Sequence, residues 1–189
     1  MVEETHVEQD TEVLKHVFTK ICEDMGMLLD RPLAVESLKV QRSEHKVAGE
    51  RTVHIAFRLG VTIDGVASHG ALLVPLADSI SFACYLMMMA DDVVALRRKD
   101  KDLERATKDA MVEVANLIGG SVDGALRELY AKRTSTRSEG CQGLRPGVAP
   151  AFQRPEGSEL LVGRAKLKLH TYPAFEAIVM LPVIPPAAE

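Results

Sequence analysis

Arg51-Thr-Val-His-Ile-Ala-Phe-Arg-Leu59 alternates residue by residue. Val53, Ile55, Phe57 and Leu59 fall on one side, with Thr52, His54, Ala56 and Arg58 on the other. Period two is the signature of a strand with one buried face. Asp64-Gly65 follows, a dipeptide suited to a tight hairpin turn, and residues 66–75 return as a second strand ending at Pro75. A hairpin at the centre of the chain makes antiparallel pairing the economical start for the fold.

The flanking segments extend that reading. Residues 158–170 alternate again, Ala165, Leu167 and Leu169 against Arg164, Lys166, Lys168 and His170. Phe175–Pro182 is a further strand beyond the Tyr172-Pro173 turn, and residues 34–42 are a short one. Helical spacing governs 11–30, where Val13, Val17, Ile21 and Met25 recur every fourth residue behind a Thr11 cap, and Pro32 closes it. A second helix is expected at 77–90, with Met87 to Met89 as core filler. Residues 91–102 read as a charged connection or short helix, and a long helix as 103–131. Residues 1–10 read as frayed, and 132–157, rich in Gly, Pro, Ser and Arg, as a long loop. The expectation is one α+β domain over 11–184, a largely antiparallel sheet with helices packed on one face. No internal repeat is visible.

Composition sets the boundaries. The chain has 189 residues, 47% of them hydrophobic, with a net charge of −4. That fits one globular domain and gives no basic surface for nucleic acid or acidic lipid. The longest apolar stretch, Ile80 to Ala90, is too short to cross a bilayer, and the acidic start lacks signal-peptide order. A cytoplasmic location is expected. Cys22, Cys84 and Cys141 lie far apart, without metal-binding or disulfide spacing, and the first two read as core. The six histidines have no HxH, HxxxH or HExxH spacing, although His54 and His69 are candidates to face each other on the hairpin. No glycine-rich nucleotide loop and no Gly-x-Ser-x-Gly elbow occur. No metal site is expected on this chain.

The chemistry lies in Asp109-Ala-Met-Val-Glu113-Val-Ala-Asn116-Leu-Ile-Gly-Gly120. At about 100° per residue, Asp109, Glu113, Asn116 and Gly120 fall near 0°, 40°, −20° and 20°. They form one polar stripe about 60° wide, which Asp123 and Arg127 extend. A solvated helix face fits this pattern as well as a functional one does. Two details favour function. Asn is a mediocre helix former, and each mid-helix glycine costs about 1 kcal/mol relative to alanine. Glycine beside Asn116 would let another backbone approach closely. Apolar spacing resumes at Val122 and Ala125, so the glycines do not end the helix.

Asp-x3-Glu-x2-Asn-x3-Gly resembles the signature of the CheC/CheX/FliY chemotaxis phosphatases, and the element order is most similar to CheX. The resemblance covers most of the chain, including Gly70-Ala-Leu-Leu-Val and the final strand. There are departures: only one copy of the motif is present, and Ala115 stands where related sequences usually have glycine. The resemblance implies hydrolysis of the aspartyl-phosphate on a CheY-like response regulator. Asn116 would orient the attacking water, because an amide both accepts and donates hydrogen bonds. Glu113 would pair with a lysine of the regulator, and Asp109 and Gly120 would serve docking. No cofactor is expected on this chain, since the Mg2+ would be the regulator's. A homodimer is implied as well. The rival reading is a catalytically silent adaptor or flagellar-switch-like module, and a small-ligand sensor on the same scaffold is a third.

Overall fold

The computed structural model describes residues 2–155 and 157–185. The elements are α1 (Val2–Leu29), β1 (Leu33–Ser43), β2 (His54–Ile63), β3 (Val66–Pro75), α2 (Leu76–Leu86), α3 (Asp91–Arg97), α4 (Arg105–Tyr130), β4 (Thr134–Leu144), β5 (Leu160–Leu169) and β6 (Phe175–Pro182). The six strands form one sheet in the order β1-β5-β6-β3-β2-β4, and every pairing is antiparallel. The expected α+β class and antiparallel sheet are therefore observed. The central turn is as read: Asp64 (φ 48°) and Gly65 (φ 83°) both adopt left-handed angles, as the tightest hairpin turn requires.

Helices cover one sheet face. Leu14, Phe18, Ile21 and Met25 of α1 and Val114, Ile118 and Val122 of α4 are buried with Phe57, Leu59, Leu72 and Val179 of the sheet. The opposite face carries a second apolar cluster. There Phe152 and Val47, from the segments after β4 and β1, cover Ala71, Leu73, Val162, Ile178 and Met180. Irregular chain thus does on the rear what helices do on the front. Cys22 and Cys84 are core residues, and burial pushes the Cys22 thiol up to about 12.

Five local expectations are corrected. α1 begins at Val2 rather than after a frayed 1–10 (Met1 lies outside the described residues), and Thr11 does not cap it. The Thr11 hydroxyl instead donates to the Val7 carbonyl one turn back, at 2.7 Å. Asp10 is buried and accepts two hydrogen bonds from Arg42 of β1, at 2.6 and 3.1 Å, which pins this end to the sheet. The expected loop 132–157 contains β4, an edge strand on β2. Met88 is not core filler: it sits at φ 59° with 92% of its surface exposed, and it ends α2 early. His54 and His69 do not meet, because His54 pairs with Pro75 and His69 with Gly60.

The topology also contains a symmetry the sequence hides. Exchanging β1 with β4, β2 with β5 and β3 with β6 reverses the strand order onto itself. Each half is then one long helix followed by three strands, α1-β1-β2-β3 and α4-β4-β5-β6.

Candidate functional site on α4

α4 is packed on three sides. α1 lies along one flank, where His16 and Glu128 approach to 2.7 Å and Lys20 reaches towards Gly124. The sheet and α2 lie beneath, and β4 runs along the other flank. β4 comes so close that a Cβ on Gly119 would stand 2.8 Å from the Ser138 backbone nitrogen and 3.2 Å from its Cα. Asp123 ties the two elements further: its carboxylate accepts from the Thr136 amide and pairs with Arg127 at 2.7 Å.

What remains uncovered is the polar stripe. Asp109, Glu113, Asn116 and Gly120 are all exposed, while Met111, Val114, Ala115 and Ile118 are buried. The helix continues unbroken through both glycines to Tyr130. Asp109 lies 3.9 Å from Arg105, and both side chains are largely in water. Among the described residues, no side-chain hydrogen bond or ion pair engages Glu113 or Asn116. An unpaired carboxylate and an unpaired amide one turn apart on a rigid helix are free to meet a partner's groups. Asn116 is also the chain's only asparagine.

The two neighbouring glycines of α4 face different surroundings. Nothing lies within 4 Å of a Cβ placed on Gly120, so this position is open ground beside Asn116. The close backbone approach belongs to Gly119 and comes from the protein's own β4. Ala115 is 1% exposed, so its methyl group points into the core and not towards the exposed stripe. Asp123, read as an extension of the stripe, is instead a bracket between α4 and β4. Sequence reasoning missed Ser138 and the rest of β4, for which Gly119 was the one available signal.

Beside the stripe, a groove of about 460 Å3 runs between α4 and the β2–β4 edge. Ile55, Leu76, Met111 and Val112 line it, with Lys101 and Lys108 at its rim. Among the described residues, no group of three or more His, Cys, Asp or Glu side chains is arranged to hold a metal ion. Among them, too, no helix is long and apolar enough to cross a membrane.

No family model and no curated protein matches the chain by sequence. Solved structures do match its fold. FliY of Thermotoga maritima superposes with a TM-score of 0.64 at 15% identity, over 90% of this chain and 86% of that one. A CheX from Desulfovibrio desulfuricans gives 0.59 at 15%, over 90% and 99%. The fold is that of CheX and FliY. The FliM middle domain of H. pylori shares it too, with a TM-score of 0.62 at 4% identity over 92% of each chain, and FliM of that organism is also solved in complex with FliG. These likenesses match the family that the α4 motif resembles. The CheX-like scaffold thus places Asp109, Glu113, Asn116 and Gly120 together on the bare side of its long helix.

Proposed function

We propose that this protein is a chemotaxis-type phosphatase that hydrolyses the aspartyl-phosphate of a CheY-like response regulator. The observation that carries the reading is the pairing of exposed, unengaged Glu113 and Asn116 on α4, with the bare Gly120 next to them. An acyl phosphate is already activated, so no nucleophile from this chain is needed. Asn116 enters the regulator's site, and its carbonyl accepts from a water held in line with the phosphorus. The water oxygen bonds to phosphorus, the bond to the aspartyl oxygen breaks, and inorganic phosphate and a free carboxylate result. Glu113 pairs with a regulator lysine and fixes the approach. Asp109 docks at the rim, and Gly120 leaves room for the regulator's backbone. The Mg2+ of the reaction is the regulator's own.

The test is the lifetime of a phosphorylated CheY-like regulator of the same genome, with this protein or its Asn116→Ala variant. Loss of one positioned water-orienting group costs about 100-fold or more in rate. The variant is expected to lose the acceleration while unfolding no earlier, since alanine is the better helix former by up to about 0.7 kcal/mol. An unchanged rate in Asn116→Ala refutes the mechanism.

The second reading is a silent adaptor in a chemotaxis or flagellar-switch assembly. The shared fold of the FliM middle domain favours it, because one fold hosts different functions. Regulator binding with no change in phosphate lifetime would decide for it.

A further inference from the structure

The groove beside the stripe is continuous with the proposed site through Val112. This residue is 45% exposed although apolar, and it stands on α4 between Asp109 and Asn116. At about 100° per residue it lies some 40° from Asn116 around the helix, on the side towards β4. The floor is apolar, from Ile55, Leu76 and Met111. Lys101 and Lys108 stand at the rim, and among the described residues neither has a carboxylate within ion-pair distance; Asp102 is the lining's one acid. An apolar floor under two unpaired ammonium groups is complementary to an apolar side chain with carboxylates next to it.

We propose that this groove receives an apolar side chain flanked by acidic residues, projecting from the same regulator whose phosphoryl group meets Asn116. The identity of that partner rests on the phosphatase reading. The groove then selects the regulator, and the stripe performs the reaction. Desolvation of Val112 and the half-buried Leu76 supplies affinity, while the two lysines supply attraction and discrimination against regulators with basic surfaces there. A residue on the stripe and one in the groove should therefore fail in different ways. Asn116 variants lose turnover at saturating regulator, whereas groove variants raise the regulator concentration needed.

The single asparagine supplies the assay. Protein labelled with 15N-asparagine has one side-chain amide to follow, at Asn116, during titration with beryllofluoride-loaded CheY-like regulators of the same genome. Val112→Glu is expected to weaken binding roughly tenfold by placing a charge against an apolar contact. Lys108→Glu is expected to weaken it about fivefold, with the difference shrinking at high salt. Lys15→Glu, on the outer face of α1, serves as the control and should bind as the unmodified protein does. All three positions are exposed, and thermal unfolding checks that each variant folds. Undiminished affinity in both groove variants overturns the proposal. Loss of self-association in Val112→Glu with regulator affinity kept would assign the groove to a second copy, which also overturns it. Regulator binding by the unmodified protein without faster phosphate loss defeats the phosphatase reading alone, since the groove variants still report on affinity.

Discussion

Two neighbouring glycines on one helix should respond in opposite ways to the same substitution. Gly119→Ala and Gly120→Ala both replace a mid-helix glycine of α4, so each gains about 1 kcal/mol of helix propensity. That gain cancels in the comparison and leaves packing alone. At Gly120 the new methyl group meets nothing within 4 Å. At Gly119 it meets the Ser138 backbone nitrogen at 2.8 Å and the Ser138 Cβ at 3.2 Å. Backbone of a paired strand has no rotamer with which to yield, so β4 or α4 must move. Overpacking of this kind costs about 1–3 kcal/mol. Gly120→Ala should therefore exceed Gly119→Ala in stability by about 1–3 kcal/mol, with Gly120→Ala above the parent protein. For a chain of this size, 1 kcal/mol is about 2–4 °C in Tm, so differential unfolding in urea or by heat resolves the gap. Equal stabilities, or a more stable Gly119→Ala, would refute the argument that β4 rather than a partner occupies the space beside Gly119.

Two further expectations concern the whole molecule. Asp64 is held below the usual carboxylate range by two hydrogen bonds from Arg133, Asp91 by Arg31 and Tyr85, and Glu104 by Arg97. A depressed folded value contributes stability that is complete above the unfolded value, about 4, and lost as pH falls through the folded one. Asp78 runs the other way, raised mainly by burial against the attraction of Arg98, so its contribution is full at low pH and lost as pH rises. Urea midpoints should hold from pH 7 to 5 and drop below about 4, less steeply in Asp64→Asn; a flat profile down to pH 3 contradicts the assignment. The second concerns assembly: β1 and β4 are sheet edges with unpaired backbone groups, which fits the homodimer that the CheX resemblance implies. Light scattering should give twice the chain mass of 20.6 kDa, and a value at the single mass rules the dimer out.

The legible parts of this fold were those marked by a periodic apolar pattern or by a tight turn. β2 and β5 declared themselves by alternation, β3 and β6 by the turns before them, Asp64-Gly65 and Tyr172-Pro173, and α4 by an amphipathic pattern that ran through its glycines. β4 did not, for a physical reason. Its inward residues are small and polar: Ser138 lies where Gly119 brings the two backbones together, Thr136 is tied by its amide to Asp123, and Thr134 is buried beyond them. The strand has therefore no apolar alternation to detect, and Thr-Ser-Thr-Arg-Ser-Glu-Gly-Cys reads as loop. The start of α1 was hidden likewise: what orders it is the Asp10–Arg42 pair, a contact between residues 32 positions apart. At the site, periodicity placed Asp109, Glu113, Asn116 and Gly120 on one face, and that face is exposed. Which glycine met a backbone was beyond reach, because it depended on a strand the sequence did not reveal.

The twofold topology sharpens the question of why one stripe and not two should act. α1 occupies the place in its half that α4 occupies in the other, so the scaffold offers two helices of the same kind. α1 contains no asparagine, and its exposed positions carry Glu12, Lys15 and Glu23. Its close strand is β1, and the glycine facing it, Gly26, is less tightly packed than Gly119: a Cβ there would stand 3.6 Å from the Leu33 backbone nitrogen. On the proposed phosphatase reading the scaffold supplies position, and the residues on α4 supply chemistry. On that argument activity is tied to Asn116 with no second site to compensate, so a single substitution should silence the protein while the helices, the sheet and the groove remain in place.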